Sequence, residues 1–289
     1  MSESTPSASR PRPVRKRVDL PSHTPALDHH RPGGAQLFGT AMGIDMILRN
    51  VVACPMRDTT IIVEDLEILV PCIVPDGASR QLVIEAEAMA ERRGRPPIKA
   101  RLYTSQHPED THFTATIRLG NCSGKPPGPA EISRLASPKA VKRKDIYKAF
   151  FHGDTFQVIA DAVFTGNAVA TRYRADEIPI RISQIARLIE FGLQTCGLLE
   201  IALSGTNKIP NRVRRIALLP RTIFRCQRSA LARAQRAAAS DAADIDVYDE
   251  TGHLALSISG YETTALPFAH DRVPVEQLQA LLQQSNPDI

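Results

Sequence analysis

One pattern, which occurs twice along the chain, most constrains the fold: an apolar helical run followed by short runs rich in β-branched residues. In the first half, residues 26–50 predict a helix, with Met42, Ile44 and Leu48 among its apolar positions. Strands are predicted after it at 59–63, 66–74, 80–86, 99–105 and 112–119. The strand–helix alternation of a parallel sheet is missing, so this half predicts an antiparallel sheet packed against one helix.

The second half starts a new unit after residues 121–138, whose glycines and prolines predict a linker. Helices are predicted at 144–151, 183–202 and 274–284, and strands at 212–219, 222–229, 244–249 and 254–263. Residues 249–252 (Asp-Glu-Thr-Gly) are a hairpin signal between the last two strands. The two halves therefore predict the same architecture.

These segments divide the chain into five predicted parts. They are a disordered basic tail at 1–24, a first unit at 25–122, a linker at 123–143, a second unit at 144–270, and a C-terminal helix and tail at 271–289.

Composition excludes several classes of protein. No apolar run reaches about 18 residues and no secretory signal is evident, so neither a membrane span nor export is expected. The five cysteines are scattered without C-x-x-C spacing, which argues against a disulfide framework or a structural zinc site. We therefore expect a cytoplasmic protein.

The net charge of +5 comes partly from arginines and lysines in the N-terminal tail. The chain has no Trp and only 5% aromatic residues, so surfaces for base stacking are scarce and nucleic-acid binding is not expected. A basic surface is also suited to an acidic protein partner.

Five segments, in the same order, carry a family resemblance. They are 30–46, which begins at His30 and contains Gly34 and Gly39; 66–71 with the turn 75–77; 151–157 (Phe-His-Gly-Asp-Thr-Phe-Gln); 188–197, with Glu190 followed four residues later by Gln194; and 244–266. Together they resemble the dehydratase domains of modular polyketide synthases. The resemblance implies an α+β double hotdog, in which two curved antiparallel sheets each wrap around a central helix.

The chain departs from that family at several positions. Gly39 stands where the family has proline in the first turn, Glu190 replaces the usual aspartate, and Ala186 replaces a proline four residues ahead of that acid. His152 and Asp154 replace the Tyr and Pro that open the second hotdog. Glu190 also resembles the acid of single-hotdog fatty-acid dehydratases.

The resemblance implies a dehydratase that acts on a β-hydroxyacyl thioester. His30 would take the α-proton, Glu190 would protonate the departing hydroxyl, and Gln194 would orient the Glu190 carboxyl. An apolar tunnel would keep Glu190 protonated and His30 neutral.

Five further residues are predicted to contact the substrate. Backbone amides of the turn at Gly39, Thr40 and Ala41 would bind the thioester oxyanion, as the N-terminus of a helix favours negative charge. Gly34 and Phe191 complete the predicted substrate-binding set.

No metal, nucleotide or redox cofactor is implied, because the sequence shows no glycine-rich phosphate loop and no metal-ligand cluster. The substrate would be carried on the phosphopantetheine of an acyl carrier protein or polyketide synthase module. Two rival functions stay open: a double-bond isomerase or oxa-Michael cyclase on the same fold, and a non-catalytic acyl-binding or scaffold subunit. A homodimer through the first hotdog is a further expectation. Asp45 and His152 are expected to be structural, with His152 alternatively lining the entrance. We expect a solvated face at Arg212, Arg214 and Arg215, with contact to the phosphopantetheine or an acidic carrier as the alternative.

Overall fold

The computed structural model describes residues 13–21, 24, 27, 36–52, 59–90, 95–120, 139–150, 152–173, 182–237, 241–265 and 275–285. The strands are β1 (Val14–Leu20), β2 (Gln36–Leu37), β3 (Thr60–Ile68), β4 (Ile73–Val74), β5 (Arg80–Ala88), β6 (Ile98–Thr104), β7 (His107–Gly120), β8 (Val141–Lys142), β9 (Ile159–Phe164), β10 (Ala168–Tyr173), β11 (Lys208–Leu218), β12 (Leu231–Arg236), β13 (Ala243–Tyr248) and β14 (Leu254–Ala265). The helices are α1 (Thr40–Val51), α2 (Arg143–Ala149), α3 (Gln184–Ser204), α4 (Pro220–Ile223) and α5 (Val275–Gln284), with 3₁₀ turns at Asp154–Phe156 and Phe224–Gln227.

Twelve strands form one sheet in the order β1-β5-β6-β7-β3-β11-β14-β13-β12-β10-β9-β8, while β2 and β4 pair separately. Every neighbouring pair is antiparallel. The first five strands in this order belong to the N-terminal half and the other seven to the C-terminal half. The two halves meet where β3 pairs with β11, which places Glu67 opposite Arg212 and Val63 opposite Ile216.

The central helix of the N-terminal half is α1. It buries Ala41, Ile44, Ile47 and Leu48, and it contacts β5, β6 and α3. The predicted start of this helix at residue 26 is wrong, because Gln36–Leu37 is a strand and α1 begins at Thr40 after the N-cap residue Gly39. The sequence pattern had merged the apolar residues before the turn with those of the helix.

The central helix of the C-terminal half is α3, and it is buried over most of its circumference. It contacts β9 to β14 and is covered by α5, which inserts Leu278 and Leu282 into the core. Ser183 caps the helix by accepting a hydrogen bond from the Ala186 amide at 3.0 Å. A proline at position 186, as in the resembling family, would lack this donor.

Two sheets joined edge to edge, each with one central helix, are the predicted α+β double hotdog, which is therefore confirmed. Asp45 on α1 pairs structurally, as expected: it accepts a hydrogen bond from Ser183 at 2.6 Å and forms an ion pair with Arg49. The contact with Ser183 ties α1 to the N-terminus of α3. None of the helices in the described ranges is long and apolar enough to cross a membrane.

The N-terminal tail is the main correction to the predicted organisation. Within the segment 1–24 that was predicted to be disordered, Val14–Leu20 forms an edge strand paired with β5. Most of its side chains are exposed, so the strand lacks the alternating apolar pattern by which strands are found in a sequence. Backbone pairing and the ion pair between Arg15 and Glu85 hold it in place, and charged side chains are typical of edge strands.

Other boundaries also shift. The predicted strand at 222–229 is wrong: α4 and a 3₁₀ turn occupy Pro220–Gln227, and Pro220 stands in the first turn of α4, where a missing amide costs nothing. The predicted strand at 66–74 is divided between the end of β3 and β4. β8 lies inside the segment 123–143 predicted to be a linker, and residues 121–138 lie outside the described residues.

We predict that Gly43→Ala destabilises the protein. A Cβ atom at Gly43 on α1 would lie 2.7 Å from the ring of Phe113, a buried residue with little room to move. After the gain in helix propensity, we expect a net loss of about 1–2 kcal/mol in the free energy of unfolding. Urea denaturation measures this loss. Gly120→Ala is the matched control, because its Cβ would meet Ile62 at an ordinary 3.7 Å; equal stability of the two variants would contradict the prediction.

Candidate active site

A cavity of about 90 Å³ lies where the two halves meet. The N-terminal half lines it with Leu37, Phe38, Gly39, Thr40, Ile68, Pro71, Cys72 and Phe113. The C-terminal half lines it with Phe150, His152, Glu190, Leu193, Gln194, Gly197, Asn207, Lys208, Ile209, Pro210 and Tyr261. The lining is mainly apolar, and its polar groups concentrate around Glu190.

Glu190 lies in the second turn of α3 and is only 4% exposed. Its Oε1 accepts a hydrogen bond from Nε2 of Gln194 at 2.9 Å and lies 3.1 Å from Nε2 of His152. Burial of a carboxyl group is costly unless it is hydrogen-bonded, and these two contacts meet that need. The predicted proximity of Glu190 and Gln194, one helical turn apart, is what the structure shows.

Gln194 is held by two further groups, the hydroxyl of Tyr147 and the carbonyl of Phe156. Tyr147 on α2 donates its hydroxyl proton to Oε1 of Gln194 at 2.6 Å and accepts the amide of Ile159 at 2.8 Å. Nε2 of Gln194 also donates to the carbonyl of Phe156 at 2.6 Å. Burial raises the pKa of Tyr147 well above its ordinary value, so the phenol keeps its proton.

His152 reaches the cavity from the loop between α2 and the 3₁₀ turn Asp154–Phe156. Its carbonyl accepts a hydrogen bond from Gln157 at 3.2 Å, and its ring packs against Phe150 with centroids 5.3 Å apart. The sequence predicts a structural role for His152, with lining of the entrance as the alternative, but not its contact with Glu190. The available signal was its place in 151–157, where the resembling family has a tyrosine.

Gly39 and Thr40 line the cavity at the N-terminus of α1, as the predicted oxyanion site requires. The φ angle of Gly39 is −65°, the value that proline imposes, so glycine here adopts a backbone conformation that a proline would also allow. Glycine adds an N–H group that proline lacks.

The other predicted substrate-binding residues are placed differently. Ala41 and Phe191 are fully buried and are not among the residues that line the cavity. Phe191 follows Glu190 by one position, which turns it about 100° around the helix, and it packs against Tyr173 with ring centroids 5.4 Å apart. His30 and Gly34 lie outside the described residues, so their roles stay predictions.

The remaining ionisable groups of the cavity have other partners or stay neutral. Burial raises the pKa of Cys72 to about 12 and that of Tyr261 well above its ordinary value. Lys208 forms an ion pair at 2.9 Å with Glu200, which Arg236 also contacts. Among the described residues, these features leave Glu190 and His152 as the cavity groups suited to proton transfer near neutral pH.

One group among the described residues has donor atoms close enough to share a metal ion: His107, Glu109 and Asp110. All three are exposed at the start of β7 and none lines the cavity. The prediction that no metal or cofactor is needed stays a prediction.

Structural comparison relates the fold to dehydratase domains of polyketide synthases. The CurK dehydratase, solved as a variant described as inactive with an aspartate replaced by asparagine, superimposes with a TM-score of 0.73 at 14% identity, covering 88% of this chain and 94% of that one. The dehydratase domain from the CurF module of curacin polyketide synthase gives a TM-score of 0.72 at 18% identity, covering 91% and 97%.

A dehydratase domain of a trans-AT polyketide synthase from Brevibacillus brevis gives a TM-score of 0.70 at 16% identity, covering 88% and 94%. No protein-family model and no curated protein sequence matches the chain. The resemblance found in the sequence is therefore confirmed at the level of the fold.

We predict that Tyr147→Phe lowers stability. The substitution removes the hydroxyl that joins the Ile159 amide to Gln194 and leaves two buried polar groups without this partner. A group left unpaired in the core costs about 1–3 kcal/mol, so the free energy of unfolding measured in urea should fall by that amount. An unchanged midpoint and slope would contradict the arrangement described for Gln194.

Proposed function

We propose that the protein is a hydro-lyase that removes water from a β-hydroxyacyl thioester carried by an acyl carrier protein. The observation that carries the proposal is a buried carboxyl group, Glu190, in the wall of a mainly apolar cavity that the N-terminus of α1 also lines. The shared fold supports the same class of reaction. One of the neighbouring structures is a variant described as inactive with a replaced aspartate, and another has a replaced histidine.

The reaction breaks one C–H and one C–O bond. His30 takes the proton from the α-carbon, and the electron pair of that bond forms the double bond as the C–O bond at the β-carbon breaks. Glu190 gives its proton to the departing hydroxyl, which leaves as water, because hydroxide alone is a poor leaving group. Transfer of the proton from His30 back to Glu190 restores the site.

The enolate character that develops on the thioester oxygen needs hydrogen-bond donors. The first amides of a helix have no partner within the helix, and the helix dipole favours negative charge there. Gly39 and Thr40 supply this end of α1 to the cavity. A thioester carbonyl bound at this turn would hold the β-hydroxyl toward Glu190, which lines the same cavity.

A small, mainly apolar cavity suits an acyl chain delivered on the narrow phosphopantetheine group of a carrier protein better than a bulky free substrate. The net charge of +5 favours encounter with an acidic carrier protein. We propose the acyl carrier protein, alone or within a polyketide synthase module, as the partner.

We predict that Glu190→Gln and His30→Ala each lower turnover by about 10²–10⁴-fold, since each removes one proton-transfer group. The protein is mixed with a synthetic β-hydroxyacyl carrier protein, and mass spectrometry follows loss of the mass of one water. Asp161→Asn is the control: Asp161 is a buried acid of the same half that pairs with Arg172 on neighbouring strands and does not line the cavity.

The outcomes separate the rival functions. Full turnover in both variants would overturn the assigned site. An unchanged mass with a new retention time would replace the dehydratase by an isomerase or cyclase. Binding of the carrier without turnover by the unmodified protein would favour a non-catalytic subunit.

A further inference from the structure

We propose that His152 is a positioning residue of this site: a neutral imidazole with its proton on Nε2, which donates to Oε1 of Glu190 and so places the reactive proton of Glu190 on Oε2. Its role in turnover rests on the proposed dehydratase function, whereas its protonation follows from the hydrogen bonds around it.

The direction of these hydrogen bonds is set at Tyr147. Its hydroxyl oxygen accepts the Ile159 amide, and its own proton points to Oε1 of Gln194. An amide oxygen only accepts, so this contact fixes which end of the Gln194 side chain is the NH₂ group. That NH₂ group lies 2.6 Å from the carbonyl of Phe156, another obligate acceptor, which independently requires the same orientation.

The orientation of Gln194 in turn fixes the direction of its hydrogen bond to Glu190. The NH₂ group of Gln194 donates to Oε1 of Glu190 at 2.9 Å, so Oε1 is an acceptor in this arrangement. Nε2 of His152 lies 3.1 Å from the same oxygen. The carbonyl oxygen of a carboxyl group accepts hydrogen bonds better than its hydroxyl oxygen, so we assign Oε1, which accepts from Gln194, as the carbonyl oxygen. A bare ring nitrogen would repel that oxygen at 3.1 Å, and Nε2 therefore carries a proton in this arrangement. When Glu190 is protonated, its proton is therefore on the other oxygen, Oε2.

The neutral form of this pair suits burial. The side chains of His152 and Glu190 are 9% and 5% exposed, and two buried ions cost more than two neutral groups joined by a hydrogen bond. Among the residues that the structure describes, the other ionisable groups around the cavity stay neutral or are paired: Tyr147, Tyr261 and Cys72 stay neutral through burial, and Lys208 is paired with Glu200.

The arrangement would matter most after proton transfer. Once Oε2 has given its proton to the leaving hydroxyl, Glu190 is an anion with two donors, His152 and Gln194, already directed at Oε1. Hydrogen bonds to a charged acceptor are stronger than those to a neutral one, so these donors stabilise the product of the transfer more than the starting acid. His152 would thus act through Glu190 without contacting the reacting atoms.

The protonation of His152 can be tested without any substrate. A long-range ¹H–¹⁵N correlation spectrum of protein labelled with ¹⁵N-histidine distinguishes the two neutral tautomers and the charged ring. The full chain has eight histidines, and loss of one set of signals in His152→Gln assigns that residue. At neutral pH we expect His152 to be neutral with its proton on Nε2.

His112 provides an internal contrast in the same spectrum. Its Nδ1 lies 3.0 Å from the carbonyl of Val70, which can only accept, so its proton must be on Nδ1. Burial lowers its pKa, which keeps the ring neutral. Opposite tautomers for His112 and His152 would support the proposal. A proton on Nδ1 alone of His152, or a charged ring at neutral pH, would overturn it even if turnover were never observed.

Turnover tests the role of the donor. His152→Leu removes the donor and should lower kcat about 10- to 100-fold, the effect of one hydrogen bond to a charged group. His152→Gln retains an N–H donor and should stay within about fivefold of the unmodified protein. His112→Gln is the matched control, a buried histidine that does not line the cavity, and should leave kcat unchanged.

The pH profile separates positioning from a general structural role. Loss of a donor to the ionised carboxyl disfavours that ionised form, so Glu190 should keep its proton to higher pH. In His152→Leu the alkaline limb of kcat should therefore move up by about one pH unit, while in His152→Gln it should stay in place. A loss of kcat that is equal at every pH, or a limb that does not move, would reduce His152 to a structural residue and leave the proposed dehydratase function intact.

Discussion

β3 and β11 run antiparallel in the middle of the twelve-stranded sheet, from Ile61 opposite Leu218 to Glu67 opposite Arg212. Without this pairing, each half would expose an edge strand with unpaired N–H and C=O groups. Pairing satisfies these groups and fixes the orientation of one half relative to the other. Each central helix packs on the sheet of its own half, so joining the two edges also brings the N-terminus of α1 near the middle of α3. The cavity lies at that junction and draws its lining from both halves.

The burial of α3 sets a second constraint, because an acid on a helix packed on nearly every side must find partners. Within the part of the chain that the structure describes, Glu190 meets His152 from outside α3. Gln194, one turn along, links it to α2 and the 3₁₀ turn through Tyr147 and Phe156. Since these contacts also orient the carboxyl group, the hydrogen bonds that make its burial tolerable are the same ones that would prepare it for proton transfer.

Differences from the resembling family become intelligible once the backbone is known. Gly39 adopts the φ angle of a proline, and Ala186 offers an amide to the Ser183 cap that a proline could not. In this chain the two helices start at Thr40 and Gln184, directly after the cap residues Gly39 and Ser183. The third substitution, His152, changes the side-chain chemistry, because it replaces the family's tyrosine phenol with an imidazole, a group whose ordinary pKa lies near neutral pH. The acid that His152 contacts, Glu190, also differs from the family's aspartate, so both members of the His152–Glu190 pair differ from the family pattern.

An antiparallel sheet with one central helix in each half, and the shared helix face of Glu190 and Gln194, could be predicted from the chain alone, because these follow from local periodicity and from spacing along one helix. The family resemblance added the double hotdog. The sequence could not reveal β1, whose exposed side chains carry no apolar alternation and whose order depends on pairing with β5. Nor could it place Phe191 away from the cavity or His152 against Glu190, 38 positions away in the chain. Only the tertiary structure decided these points, because contacts between distant segments depend on how the strands pair and which helix face each sheet covers.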